Sequence, residues 1–356
     1  MKNKIYFKPL FKKSDLTERC EAMKSILNAL PLQNQFKEKN MIGVKTHFGD
    51  VNNTTHIAPE VIRTVVDKLK ELNTLPFVME TSTLYSGPRK NAVTHIEHAY
   101  SHGFSFEKIN APIIMADGLM GNAELEVKIP GELFDSVNIA RDAVYSDALV
   151  IVSHPTGHIV TGIGACLKNL GMGLASRKGK MRQHSSIYPQ IKIDQCVFCL
   201  ECYKWCPENA IIKHSDHVVI DAEKCIGCGE CLAVCKYNAV KYNFAVESEE
   251  LQKRMAEYAL GAVIDKKDKC LFINVLTDMT SQCDCMTITQ TPIINDIGIL
   301  AGYDPVAIDQ ATLDLTRENN EADLGRMSSS HLNPEIQLAH AEKIGLGSRD
   351  YELIKI

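Results

Sequence analysis

The chain has 356 residues, of which 45% are hydrophobic and 23% charged, enough for a large core and about two domains. Its formal net charge of −5 provides no basic footprint for a nucleic acid and favours no membrane surface as a partner. No apolar run reaches the roughly 18 residues of a membrane span, and residues 1–15 lack the apolar core of an export signal, so we expect a cytoplasmic protein.

Short apolar runs alternate with amphipathic segments before residue 190, a pattern typical of an α/β layer architecture. The predicted elements, in chain order, are a Lys-rich strand over 1–15, a strand over 41–46, a helix opened by Pro59, a strand over 76–80, a helix over 91–102, a strand over 111–116, a short helix over 139–147 and a strand over 148–153. The last of these is apolar throughout, so we expect it at the centre of the sheet.

A segment rich in histidine and glycine, residues 153–173, follows that apolar strand. Its glycines would leave room for a ligand, and its backbone amides would face an anion. Because open α/β sheets bind ligands at the carboxyl ends of their strands, we predict a cleft site here. The predicted catalytic residues are His158, Lys168 and His184, and the predicted cofactor-binding residues are Gly162, Gly164 and Asn169. The alternative is that the histidines are structural and the glycines only allow close packing.

Eight of the thirteen cysteines form two copies of the spacing C-x2-C-x2-C-x3-C, and each cysteine of the first copy recurs 29 residues later. Three thiolates at this spacing hold one 4Fe-4S cluster, and the fourth reaches the other cluster. The spacing therefore predicts crossed ligand sets, with Cys196, Cys199, Cys202 and Cys235 on one cluster and Cys206, Cys225, Cys228 and Cys231 on the second. Paired zinc sites usually have two cysteine pairs separated by a longer gap, so zinc and disulfides are the weaker alternatives.

The segment from residue 190 to 244 resembles the bacterial two-cluster ferredoxin module. Lys236 stands where the second half of that module usually has proline, which is not a ligand. Thiolate-bound iron and an odd number of cysteines both argue against an oxidising compartment.

Strand and helix alternation resumes after the cysteines. We predict one long helix followed by a turn over 247–269, strands over 271–276 and 297–300, and a helix capped by Asp304 that runs through Leu315. The fold class is therefore an α/β body with an inserted α+β ferredoxin module, with boundaries at 1–189, 190–244 and 245–356. A tandem arrangement is the alternative. Cys283-Asp284-Cys285 follows the first of these strands and would serve as redox thiols or as part of a metal site.

Five segments are similar to the family of uncharacterised iron-sulfur-centre proteins, a domain of unknown function that often carries a two-cluster ferredoxin. They are Lys45 to Asp50, His154 to His158, Gly162 to Gly173, Cys283 to Cys285 and Asp304 to Ala307. The resemblance covers nearly the whole chain.

The body also resembles, more distantly, the nickel-pincer lactate racemases. In that family a histidine, a lysine ten residues on and a histidine sixteen residues further serve as acid/base, cofactor attachment and metal ligand, and His158, Lys168 and His184 stand at those separations. Residues 50–59 are similar to an Asp-x-Thr-Arg-Pro element of the family, and residues 164–167 stand where the family has Ser-Gly-Gly. The resemblance implies a shared fold.

We therefore hypothesise an iron-sulfur oxidoreductase. A redox partner protein would meet the ferredoxin module, and electrons would pass to or from a small anionic ligand, or a further metal or organic cofactor, in the cleft. Lys168 would pair with the anion, and His158 would move protons near neutral pH. No Gly-x-Gly-x-x-Gly or Walker element supports a nucleotide site. The alternatives are an electron carrier with no catalytic site of its own, and a racemase-like or transferase enzyme with structural clusters.

Overall fold

The computed structural model describes residues 2–184, 188–225, 227, 229–241 and 247–356. The strands within this part of the chain are β1 (Asn3–Lys12), β2 (Met41–Lys45), β3 (Leu75–Glu80), β4 (Ile113–Met115), β5 (Glu124–Lys128), β6 (Ser136–Ala140), β7 (Ala148–Ser153), β8 (Thr156–His158), β9 (Gly162–Gly164), β10 (Gln190–Ile191), β11 (Ile211–Lys213), β12 (Val218–Ile220), β13 (Val240–Lys241), β14 (Cys270–Leu276), β15 (Asp296–Gly302) and β16 (Tyr351–Lys355).

The α-helices of the same described residues alternate with these strands for much of the chain. They are α1 (Leu16–Ala29), α2 (Pro59–Lys70), α3 (Ala92–Ser101), α4 (Phe106–Ile109), α5 (Arg141–Tyr145), α6 (Cys166–Gly171), α7 (Arg177–His184), α8 (Glu201–Lys204), α9 (Glu230–Val234), α10 (Ser248–Val263), α11 (Pro305–Glu318), α12 (Leu324–Ser328) and α13 (Glu335–Lys343).

Eight strands form the main sheet, in the order β16-β1-β15-β14-β7-β2-β3-β4. The pairings give seven of these strands one direction, and β15 runs against them. The fold is therefore a mixed α/β architecture built on one large, mostly parallel sheet. The apolar strand β7 lies between β14 and β2, so its predicted central position is confirmed.

A hydrophobic core covers each face of this sheet. Leu149 and Ile151 of β7 enter one core, whereas Val150 and Val152 enter the other, because successive side chains of a strand point to opposite faces. Helices α6, α10 and α11 pack on the first face, and α1 and α2 pack on the second. A strand buried on both sides needs apolar residues along its length, and β7 is apolar from Ala148 to Val152.

Local signals fix the ends of two helices as predicted. Pro59 occupies the first turn of α2, where its missing N–H costs nothing, and α2 ends at Lys70. The Asp304 carboxylate accepts hydrogen bonds from the backbone N–H groups of Val306 (2.8 Å) and Ala307 (2.9 Å) and so caps α11.

One predicted element is wrong in part. Residues 139–147 were expected to form a short helix, but Ile139 and Ala140 belong to β6 and pair with β5 in an antiparallel hairpin. Only Arg141–Tyr145 is helical. Tertiary pairing with a strand some fifteen residues earlier decides the conformation there, and local periodicity does not report it.

The segment from 190 to 241 forms two small antiparallel ladders, β10 with β13 and β11 with β12, joined by the short helices α8 and α9. Cysteines and aliphatic side chains fill its core, which Leu84 and Met181 of the body also enter. The predicted boundary at 244 lies outside the described residues. The division into 1–189, 190–244 and 245–356 stays a prediction.

None of the helices in the described ranges combines the length and the apolar character that crossing a bilayer requires.

Candidate functional site

Polar side chains gather at the carboxyl edge of the main sheet. Strands β2, β3, β7 and β14 are parallel, so their last residues meet at one edge. Lys45 ends β2, Glu80 ends β3, Ser153 ends β7, and Thr277 directly follows β14. This is the edge at which open α/β sheets bind ligands.

A buried network of charges lies at this edge. Lys45 Nζ is 2.5 Å from one carboxylate oxygen of Glu80, and Arg89 is 3.0 Å from the other. Arg89 also lies 3.1 Å from Asp50 Oδ2 and donates to the Tyr85 hydroxyl (3.0 Å). Burial alone would raise the pKa of Glu80, but Lys45 and Arg89 hold it at about 2. Glu80 is therefore ionised at neutral pH.

Lys168 lies in the short helix α6, beside this network. Burial, together with the nearby cations Arg89 and Lys45, lowers the pKa of Lys168 to about 8, although Asp284 opposes the shift. Its Nζ donates a hydrogen bond to Cys283 Sγ at 3.2 Å. Within the described part of the chain, Lys168 forms no ion pair with a carboxylate. Lys168 is thus a buried cation whose immediate partner is a neutral sulfur atom.

The two predicted catalytic histidines lie near Lys168. His158 is buried, and its Nδ1 accepts a hydrogen bond from the Thr161 backbone N–H (3.1 Å), so the neutral ring carries its proton on Nε2. Burial, then Lys168 and His184, hold the pKa of His158 well below its usual range. Burial and Lys168 likewise lower the pKa of His184 to about 4. Both rings are neutral at pH 7, so proton uptake by His158 there would require an anion beside it.

The three residues predicted to bind a cofactor contact protein atoms. Asn169 accepts from Lys45 Nζ (2.8 Å) and donates to Ser153 Oγ (3.0 Å), so its amide fixes the buried lysine. A Cβ added to Gly162 would lie 3.2 Å from Pro334, and one added to Gly164 would lie 2.9 Å from Lys168 Cδ. The glycines make room for these side chains. Their part in cofactor binding stays a prediction.

The backbone amides that open α6 also have a partner within the protein. The Asp309 carboxylate accepts from the N–H groups of Cys166 (2.9 Å) and Leu167 (2.8 Å). Burial, opposed by these amides and by Asn274, raises the pKa of Asp309 to about 6. The anion expected at this glycine-rich turn is therefore present as a side chain from α11. Because Asp309 occupies these amides, the turn does not offer them to a nickel cofactor.

The loop after β14 closes the edge of the sheet. Cys283 and Cys285 are joined by a disulfide. Asp284, between them, accepts from Asn53 Nδ2 (3.1 Å) and pairs with His154 Nδ1 (2.7 Å). His154 is the second residue of the predicted histidine and glycine segment. Two motifs that are far apart in the chain thus form one structure.

Two separate cavities in the segment from 190 to 241 are lined by cysteines. One is lined by Cys196, Cys199, Cys202 and Cys235. The other is lined by Cys206, Cys225 and Cys231, while Cys228 lies outside the described residues. Each cavity draws cysteines from both copies of the repeat, so the donor sets fit two cubane clusters with crossed ligands.

Among the described residues, no three His, Cys, Asp or Glu side chains are placed to hold a single metal ion. A cubane takes one thiolate for each iron, so its ligands surround a space and do not converge on a single atom.

Sequence reasoning missed two buried cations near Lys45 and Glu80. Arg89 lies in the 3-10 helix Pro88–Lys90, and Lys180 lies in α7, where burial lowers its pKa to about 8 despite nearby Asp117. Lys180 Nζ donates to Thr81 Oγ1 at 2.6 Å. The sequence does contain a signal for Lys45 and Glu80, because each of these charged residues ends an otherwise apolar strand.

Two solved structures were compared with the fold. The lactate racemase apoprotein from Thermoanaerobacterium thermosaccharolyticum matches with a TM-score of 0.42 and 14% identity over 83% of this chain and 53% of that one. A Thermotoga maritima protein solved by a structural genomics consortium matches with a TM-score of 0.43 and 14% identity over 90% of this chain and 61% of that one. The chain thus spans between half and two thirds of their length.

No curated protein matches the chain. The sequence profile of one family matches residues 42–314, which is well over half of the 356 residues. The chain belongs to the family described as domain of unknown function DUF362.

Proposed function

We propose that this protein is an iron-sulfur oxidoreductase. Two 4Fe-4S clusters in a ferredoxin module would exchange electrons with a redox partner protein, and would pass them to or take them from a ligand or cofactor held in the cleft by Lys168. The observation that carries the proposal is the pair of cavities, because one is lined by all four cysteines of one predicted crossed set and the other by the three described cysteines of the second set. Cysteines that serve only as structural thiols would have no reason to line two cavities in these sets.

The clusters, when bound, would supply one-electron transfer at potentials set by burial and by hydrogen bonds to sulfur. Among the described residues, the Ala210 backbone N–H donates such a bond to Cys206 Sγ at 3.2 Å. The cavity-lining cysteines are largely buried or half-buried, apart from Cys199. That exposed cysteine is the point at which a redox partner protein would approach its cluster most closely.

The body and the proposed module meet at residues 84–90. Leu84 packs in the same core as Cys202 and Cys235. Lys90 Nζ donates to the backbone carbonyl of Cys235 at 2.7 Å. Tyr85 and Arg89 of the same stretch belong to the buried network of the cleft. One short loop therefore contacts both the proposed electron source and the proposed acceptor site.

Lys168 supports an anionic acceptor. A buried cation without a carboxylate partner is costly unless an anion completes it. Among the described residues, the only hydrogen-bond acceptor that Lys168 has is a cysteine sulfur. His158, neutral and adjacent, would gain a proton only when negative charge arrives there.

Reduction of anaerobically purified protein tests the cluster half of this proposal. Dithionite should bleach the visible sulfur-to-iron absorbance and produce the electron paramagnetic resonance signals of two reduced clusters. Spectra that reductant leaves unchanged would favour structural clusters and contradict an electron-transfer role.

Anion binding tests the cleft half, with acetate, oxalate and inorganic phosphate as probes. Calorimetry should detect binding to the wild type and to Lys24→Ala, whose lysine is exposed on α1, but not to Lys168→Ala. If Lys168→Ala bound the same anions equally well, the cleft role would be wrong, and an electron carrier without its own site would be the better account.

A further inference from the structure

The disulfide between Cys283 and Cys285 lies against a buried cation. Cys283 is 5% exposed, and its Sγ accepts hydrogen bonds from Lys168 Nζ (3.2 Å) and from the Cys285 backbone N–H (3.2 Å). Cys285 is half-buried. Two donors aimed at one sulfur of a disulfide would stabilise negative charge on that sulfur after the bond breaks, because a thiolate is favoured beside a lysine.

The loop that carries the disulfide is held in place from both sides of the cleft. Asp284 is fixed by His154 and Asn53, and these partners keep it an anion, because they lower its pKa although burial opposes them. Tyr85 donates to the Cys285 backbone carbonyl at 3.4 Å. A site that must cycle between two redox states without losing its geometry needs this kind of support.

The same tyrosine leads toward the cysteine-lined cavities. Tyr85 directly follows Leu84, so their Cα atoms are about 3.8 Å apart. Leu84 packs against the core that contains Cys202 and Cys235. The disulfide loop and the proposed electron source are thus joined through two consecutive residues.

We propose that Cys283–Cys285 is a redox-active disulfide and is the acceptor to which the clusters deliver electrons. The inference rests on the proposed function for its electron source. Two reduced clusters each give up one electron and are oxidised, and the disulfide takes both electrons, so its S–S bond breaks. Cys285 Sγ takes one proton from solvent and becomes a thiol. Cys283 Sγ stays a thiolate paired with the Lys168 ammonium, which is the anion that this lysine lacks in the oxidised protein.

Electron counting under anaerobic conditions tests the inference. The full chain is titrated with photoreduced deazaflavin, which is not a thiol. The wild type should take up about four electrons per chain, one for each cluster and two for the disulfide. Cys283→Ser should take up about two. Cys20→Ser, which removes a cysteine outside the site, should take up about four.

Peptide mapping supplies a readout that does not depend on cluster spectra. Samples are quenched in acid and alkylated, and the peptide containing residues 283–285 is weighed. Reduction of the wild type should add two alkyl groups to this peptide. In the double variant Cys196→Ser and Cys225→Ser, which removes a ligand from each proposed cluster, alkylation over the same time should fall at least tenfold.

The outcomes separate the two proposals. If both clusters are reduced while the peptide stays unalkylated and Cys283→Ser takes up as many electrons as the wild type, the disulfide inference is wrong and the cluster proposal stands. If alkylated peptide accumulates as fast in the double variant Cys196→Ser and Cys225→Ser as in the wild type, the clusters are not the electron source, and the inference again fails. A wild type without clusters overturns the proposed function itself. Lys168→Ala keeps both cysteines but should slow reduction of the disulfide, measured as the rate at which alkylated peptide accumulates. An unchanged rate would contradict the role of the lysine.

Discussion

His154 Nδ1 lies 2.7 Å from Asp284 Oδ2, although 130 positions separate the two residues in the chain. His154 Nε2 lies 2.7 Å from the carbonyl oxygen of Thr277, so both ring nitrogens face acceptors. A ring that donates from both nitrogens is an imidazolium. The pair joins the loop after β7 to the loop after β14 and holds the Cys283–Cys285 disulfide at the edge of the sheet.

We expect the free energy of unfolding to decrease as pH rises through the pKa of His154. Burial alone would lower that pKa, but Asp284 raises it above 6.5. A raised pKa adds stability that is complete below the unfolded value of about 6.5 and is lost as pH rises through the folded value. Urea denaturation across this window should show the decrease in the wild type and a smaller one in His154→Gln. Identical profiles for the two proteins would contradict an imidazolium in this pair.

Replacing Glu80 by Gln should destabilise the fold strongly. The substitution leaves Lys45 and Arg89 buried without their shared carboxylate, and removal of one partner of a buried ion pair costs about 3–5 kcal/mol. The control is Glu71→Gln, which breaks an exposed pair with Lys68 and should cost less than about 1 kcal/mol. Equal losses in the two variants, measured by denaturant unfolding, would show that the buried network adds nothing.

The same carboxylate predicts an acid transition. The pKa of Glu80 is lowered to about 2, so its contribution to stability is complete above its unfolded value near 4.5 and is lost as pH falls toward 2. Wild-type unfolding free energy should therefore decline between these values. Glu80→Gln should show a flatter decline, and a decline as steep as that of the wild type would assign the acid transition to other groups.

Two lysine signals should titrate near pH 8. The pKa values of Lys168 and Lys180 are both lowered to about 8, by burial in each case. Nuclear magnetic resonance of the lysine Cε positions would follow them. Lys168→Met should remove one of the two signals and Lys180→Met the other. If neither substitution removed a signal in this range, the two side chains would be in contact with water and the description of the cleft would be wrong.

Crossed cluster ligation predicts which variants behave alike. Cys196→Ser and Cys235→Ser should disturb the same cluster, although 39 residues separate them, because both line one cavity. Cys206→Ser should disturb the other cluster, together with Cys225→Ser. Electron paramagnetic resonance of the reduced variants sorts them into pairs. Pairing of Cys196 with Cys206, as neighbours in one repeat, would rule out the crossed arrangement.

Where a residue's surroundings are local in the chain, its structure could be predicted from sequence. The Asp304 cap, the start of α2 at Pro59 and the fully apolar strand β7 all depend on residues a few positions apart. These features needed no knowledge of the tertiary fold.

The cleft could be predicted only in part, because its contacts join distant segments. Lys168 was expected to lie near a ligand, but the partner in the structure is Cys283, 115 positions away. The sequence around Arg89 does not indicate its partners, because Asp50 and Glu80 come close to Arg89 only when β2 and β3 are paired. The direction of β15, which is antiparallel to its neighbours, could not be predicted either, because the pattern of apolar residues in a strand does not indicate which way the strand runs in the sheet.

The most direct test of the central claim is to measure iron and acid-labile sulfide per chain in full-length protein purified without oxygen. Two 4Fe-4S clusters predict about eight iron atoms and about eight sulfides per chain, falling to about four of each in Cys235→Ser. A chain that instead held zinc at stoichiometric levels, or that held no metal while remaining folded, would contradict the claim that these cysteines bind iron-sulfur clusters.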